Sequence, residues 1–314
     1  MTERLNSLSL KWKIALALSA VYIIWGSTYL AIRFAIETLP GFGMAGVRFV
    51  LSGLILYGMA RAGGVPRPKP AQWWPATVVG VLLLAVGNGG VVWAEHRVDS
   101  GLAALMVATE PLWIVLLLWL APGGAKPGPR VLAGLGLGLA GLVFLIRPGG
   151  GGIDPVGAVV LAAASFSWAW GSLYARRAAL PESPILTSGM QMLMGGVVLL
   201  AVSAITGEPG RIDVGQISLR SLLALGYLVI GGLIAFTCYS WLMRNARPVL
   251  ASTYAYVNPV VAVFLGWAFA GEPLTAGMLG AAAVIVTGVA LISTAQGSSP
   301  EPGAEDLEEE RAAA

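Results

Sequence analysis

Apolar runs of about 20 residues recur along this chain, and a run of that length crosses a hydrocarbon core as one helix. They predict helices near 13–33, 42–61, 72–95, 100–120, 130–147, 154–175, 185–206, 217–243, 249–270 and 275–294. The intervening breaks, at 63–70, 122–129, 148–152, 181–184, 207–213 and 271–273, are rich in Pro, Gly or charge and read as turns. They are too short to hold a soluble domain. Residues 1–12 form a short amino-terminal segment, and the first run stays uncharged over 14–32, too long for the apolar core of a signal peptide. Residues 297–314 carry six acids and one Arg and lack apolar periodicity, which predicts a disordered acidic tail.

The pattern repeats. Residues 101–120 reappear 148 positions later as 249–268, with Glu110-Pro111 falling on Asn258-Pro259, Trp119 on Trp267 and, upstream, Trp93 on Trp241. Trp25-Gly26-Ser27 likewise falls on Trp170-Gly171-Ser172, with Tyr29 on Tyr174. Two units, 13–147 and 154–294, each hold five predicted helices, and an odd number forces the second unit into the membrane upside down. The expected fold is an all-α integral membrane protein, with ten transmembrane helices as two inverted five-helix repeats around a central cavity. If both termini are cytoplasmic, thirteen of nineteen Lys and Arg lie on that side, as the positive-inside rule requires.

Composition agrees. A hydrophobic share of 57% with 11% charged residues excludes a soluble domain, whose surface needs roughly a quarter charged residues. The 42 glycines let helix backbones approach closely, as at Gly134 and Gly138. The basic surplus lies in loops, so nucleic-acid binding is a poor explanation. Cys238 is the only cysteine and His96 the only histidine, which leaves no intrachain disulfide and no His-rich metal cage; no cofactor or metal is expected. Residues 136–141 match G-x-G-x-x-G but lie inside a predicted spanning helix, so they are no nucleotide site. The chain contains no phosphate-cradling G-x-x-x-x-G-K-[ST] loop, which argues against direct ATP drive.

Glu110 is the strongest chemical candidate, because an ionisable residue at mid-membrane is a functional hypothesis by default. It suits either proton coupling or a neutral carboxyl that holds helices together, and its counterpart Asn258 cannot titrate. Pro111 and Pro259 free the carbonyls of Val107 and Ala255, for substrate or for a neighbouring helix, and read as helix breaks with a gating role. Trp25, Asn88, Trp113, Trp168, Gln191, Tyr239 and Tyr254 join Glu110 and Asn258 as candidate substrate-binding residues, since an apolar, aromatic-walled cavity with few polar anchors suits a small amphipathic molecule. Arg48 is expected to snorkel from its helix end. Arg33 and Arg48 offer cations for a substrate carboxylate, or a structural pairing with Glu37.

Trp25-Gly26-Ser27 with Arg33, Arg48-Phe49, Glu110-Pro111 and Gly271-Glu272-Pro273 resemble the EamA family of the drug/metabolite transporter superfamily, over about 13–294. The second half departs from that pattern, with Asn258 where a Glu often stands and Gln191 near the place of a basic residue. The resemblance implies a bacterial inner-membrane protein that exports amino acids or related metabolites by alternating access without ATP. Aromatic or other hydrophobic amino acids are favoured by the candidate wall. The expected partners are a small-molecule substrate and membrane lipid. Two alternatives stay open: a flippase for lipid or lipid-linked sugar, and a membrane-embedded lipid-modifying enzyme. The enzyme reading would need the group Glu95, His96 and Asp99, which also reads as an ordinary turn.

Overall fold

A computed structural model describes residues 9–122, 124, 126–146, 154–246, 250 and 253–296. The segment at 1–8 and the tail at 297–314 lie outside the described residues. The helices are α1 (Leu10–Ala35), α2 (Gly41–Ala62), α3 (Pro70–Ala94), α4 (Ser100–Leu120), α5 (Pro129–Ile146), α6 (Pro155–Ala175), α7 (Pro184–Ile205), α8 (Leu219–Asn245), α9 (Tyr254–Ala270) and α10 (Ala276–Gln296). Eight of these are long and apolar enough to cross a membrane, while α5 and α9 are apolar but shorter. The boundaries fall close to the expected ones, except that α1 starts earlier; the expected start of the ninth helix, at 249, lies outside the described residues.

Local chemistry sets the helix starts. Pro70, Pro129, Pro155 and Pro184 occupy first positions, where a missing N–H is no loss. Asp154 accepts from the Gly157 amide at 2.7 Å, and Ser218 accepts from the Ser221 amide at 3.1 Å, each satisfying one of the orphan donors of a first turn. Gly271, at φ 67°, closes α9 in the left-handed region, which glycine adopts without strain.

Successive helices run in opposite directions and define two ends. The near end holds the start of α1, the α2–α3 and α6–α7 turns and the end of α8. The far end holds the α1–α2, α3–α4, α7–α8 and α9–α10 connections. Packing pairs α1 with α8 and α9, α2 with α7, α3 with α6 and α7, α4 with α6 and α9, and α5 with α10. Small residues permit the closest pairs. A Cβ on Gly53 of α2 would lie 2.7 Å from the Leu193 amide nitrogen of α7, and one on Gly134 of α5 would lie 2.7 Å from the Gly288 oxygen of α10. The helix-packing role expected for Gly134 and Gly138 is thus seen.

The core differs between the ends. One continuous cluster draws on all ten helices and lies toward the far end, including Ile32, Met44, Phe49, Val92, Leu105, Leu145, Leu161, Leu199, Leu228, Val263 and Met278. Toward the near end the core divides into three among the described residues. Leu18 and Leu242 join α1, α8 and the start of α9; Ala60, Ala76 and Leu186 join α2, α3 and α7; Leu112, Leu135 and Ile292 join α4, α5 and α10.

Two helices are irregular at mid-depth. In α3, residues Val81–Asn88 widen into π-helical turns. In α4, the helix stops at Val107 and restarts at Glu110, so Pro111 sits at the start of a second helical piece and not at a kink within one. Backbone groups freed in such breaks need partners when no water is at hand, and α6 supplies them. Ser167 donates to the Leu82 carbonyl at 2.8 Å, Trp168 Nε1 donates to that of Leu83, and Ser165 donates to that of Val107 at 3.2 Å. The Val107 carbonyl is the one Pro111 releases, and a neighbouring helix takes it up.

Candidate functional site

Between the divided clusters of the near end and the single core of the far end lies a cavity of about 370 Å³, within the size range of small-molecule sites. Its walls come from α1 to α4 and α6 to α9. Trp25, Tyr239 and Tyr254, from α1, α8 and α9, form an aromatic trio with ring centroids 5.0 to 5.5 Å apart, the tilted and edge-on contacts that aromatic quadrupoles prefer. Glu110 stands at the restart of α4, and its Oε1 accepts from the Ser172 hydroxyl at 3.3 Å. Asn258 is buried on α9 beside Pro259, and its Oδ1 has no hydrogen-bond partner.

The structure brings Trp25, Asn88, Glu110, Trp168, Gln191, Tyr239, Tyr254 and Asn258 to this one cavity, together with Pro111 and Pro259. It leaves Trp113 out. That indole meets Phe166 edge-on at 5.7 Å, on the α4–α6 contact. Tyr29, Ser172 and Ser188 also line the cavity, unforeseen in the sequence although helical spacing points to them. Tyr29 follows Trp25 by one turn, Ser172 follows Trp168, and Ser188 precedes Gln191.

Arg48 corrects an expectation. It does not snorkel: it is 7% exposed, faces the cavity, and holds its guanidinium 4.8 Å from the Phe49 ring centroid. The pairing with Glu37 is corrected too, since Glu37 bridges to Arg220 at 3.2 Å. Arg33 instead donates to the Glu95 main-chain carbonyl. Glu95 is fully buried, and neither carboxylate oxygen has a hydrogen-bond partner.

A second depression of about 430 Å³ opens at the far end among Arg33, Ile36, Glu37, His96, Arg220 and Phe269. Burial holds the His96 imidazole below its usual pKa, against the pull of Glu208. Residues 95–98 form an ordinary turn there, with Asp99 preceding the first residue of α4. Among the described residues, no three His, Cys, Asp or Glu side chains converge as a metal site.

Comparison with known proteins matches the chain to the EamA-like transporter family twice in succession, over residues 11–147 and 155–294. A relative in Escherichia coli K12, the uncharacterized inner membrane transporter YedA, is 43% identical over 279 residues, which span 88% of this chain and 89% of YedA. The uncharacterized transporter YvbV of Bacillus subtilis is 27% identical over 90% of this chain and 92% of its own length. Protein PecM of Dickeya dadantii is 28% identical over 82% and 84%. A solved crystal structure superposes with a TM-score of 0.62 at 23% identity, covering 91% of this chain and 99% of that one, which speaks to the fold alone.

Proposed function

The chain belongs to the EamA-like transporter family, and we propose that it is an inner-membrane secondary transporter that exports small metabolites by alternating access without ATP. Amino acids with aromatic or hydrophobic side chains are the favoured substrates. The observation that carries this reading is one mid-depth cavity, walled by both halves of the chain, with a continuous core at one end and three separate clusters at the other. The inner-membrane assignment follows the relative YedA, and the excess of Lys and Arg supports cytoplasmic termini. In that orientation the near end faces the cytoplasm, so the cavity is poised to load from inside.

Two inverted repeats of five helices supply the alternation. The family matches once in each half, and the helix pairs exchange when each helix is replaced by the one five places along. The α1–α8 pair becomes α6–α3, whereas α2–α7, α4–α9 and α5–α10 map onto themselves. The seal to be opened is thin. Ile32 lines the cavity, while Arg33 and Ile36, within a turn of it, line the far-end depression. The break of α4 at Pro111 serves as the point about which that helix adjusts; the break expected at Pro259 is not seen, since α9 runs through it unbroken.

Glu110 is the candidate proton carrier, and Asn258 makes any such coupling one-sided. The test is counterflow of L-phenylalanine and L-tryptophan in proteoliposomes, first without a gradient and then with an imposed pH gradient. Saturable flux accelerated by the pH gradient, and acceleration lost in Glu110→Gln, is the expected result. Wild-type flux and pH response in Glu110→Gln would remove the proton role, and no saturable flux of either compound would remove the aromatic substrate class.

A further inference from the structure

Arg48 is the cation of the cavity wall that no element of the fold consumes. Its side chain is 7% exposed, lines the cavity, and leaves Nη1 without a hydrogen-bond partner. A buried donor on a permanently charged group is costly to leave unmade. Phe49 holds the guanidinium from one side. Gly232 of α8 also borders the guanidinium, a Cβ built there lying 3.8 Å from Nη2.

The anions nearby are differently engaged. Glu272 spends both oxygens on the Ser100 and Gly101 amides, at 2.8 and 3.0 Å. Glu95 is fully buried, with both of its oxygens unpartnered. Arg33 is directed to the Glu95 main chain. Arg48 therefore faces the cavity with a buried donor unpaired. Across that cavity lie two acceptors, the Asn258 Oδ1, which is unpartnered, and the Glu110 carboxylate, which is held by one hydroxyl.

We propose that Arg48 anchors the carboxylate of the transported molecule, with Glu110 and Asn258 receiving the ammonium. The proposal rests on the transporter reading and narrows its substrate class to zwitterions with an apolar or aromatic body. A planar guanidinium suits this task because two parallel N–H groups match the two oxygens of a carboxylate.

Three probes that share a phenyl body separate the charges: L-phenylalanine, phenethylamine without the carboxylate, and 3-phenylpropionate without the ammonium. Binding to purified full-length protein in detergent is measured by calorimetry, and flux in proteoliposomes. Wild type is expected to bind L-phenylalanine about tenfold or more tighter than either fragment, as loss of a charged hydrogen-bonded pair implies. Arg48→Gln should weaken L-phenylalanine and 3-phenylpropionate about tenfold while leaving phenethylamine within roughly twofold, and that retained binding certifies the fold. Arg48→Lys should fall between, having charge without the fork.

Equal loss for all three probes in Arg48→Gln overturns the anchor. The same holds if wild type binds phenethylamine as well as L-phenylalanine. Should phenethylamine still cross the bilayer in that case, the transporter reading survives without the anchor. If the predicted binding pattern appears with no flux of any probe, the anchor survives and the transporter reading fails.

Discussion

The two ends of the bundle are held by different chemistry. At the far end one apolar cluster runs through every helix, and side chains reach across helices to tie down exposed backbone. Glu272 caps α4 from the α9–α10 connection, and Glu208 caps α2 from beyond α7, accepting from Phe42 and Gly43 at 3.1 and 2.8 Å. Ser221 donates to the Phe34 carbonyl at 2.8 Å. Carboxylates at helix N-termini gain from both the free amides and the helix dipole. At the near end the described residues form three groups, with cross-helix ties that include Tyr22 with Thr253 and Arg130 with Thr294 at 3.1 Å. The contrast teaches that a few polar caps are laid over the continuous core of the far end, whereas the near end is packed as separate cores.

That contrast can be broken most severely at the caps. Glu272→Gln removes the charged acceptor of two buried amides and should destabilise the fold by about 2–3 kcal/mol. Hydrogen exchange at Ser100 and Gly101 should accelerate while amides around Leu18 and Leu242 keep their protection; uniform acceleration at both ends would contradict a far-end lock. Ile32→Ala, at a fully buried position of the continuous core, should lose about 2–4 kcal/mol, and thermal melting in detergent reads it. Melting unchanged from wild type would contradict the continuous core. Ser165→Ala, which deprives the Val107 carbonyl of its α6 donor, should cost about 1 kcal/mol, with faster exchange confined to the α4 break. The smallest effect belongs to Glu37→Ala. Its bridge to Arg220 is solvent-exposed, and a shift beyond about 0.5 kcal/mol would mean that the far end depends on surface charge more than its core implies.

Much of this architecture was legible in the chain. Apolar length and Pro/Gly punctuation located the helices to within a few residues, and the Glu-Pro step marked the mid-depth break of α4, whereas α9 runs unbroken through the Asn-Pro step. Orientation was harder. In a helix apolar on every face, such as α2, periodicity does not separate the lipid side from the interior, so Arg48 read as a snorkelling residue although it faces the cavity. Trp113 failed for the same reason, because its spacing from Glu110 does not say which side of α4 meets α6. The π-helical turns at Val81–Asn88 carry no proline or other local signal; their carbonyls are satisfied by α6, a tertiary effect. The Glu272 and Glu208 caps join residues more than 160 positions apart, where no local pattern reaches.

The central claim is that the cavity is open at the near end and sealed at the far end. Ser172→Cys in a Cys238→Ser background places a single thiol on the cavity wall, and a membrane-impermeant maleimide can be added to right-side-out or to inverted vesicles without substrate. With cytoplasmic termini, labelling should be rapid in inverted vesicles and at least about tenfold slower in right-side-out ones, the ratio expected when the accessible state dominates by roughly 1.4 kcal/mol or more. Faster labelling from the outside would contradict the account.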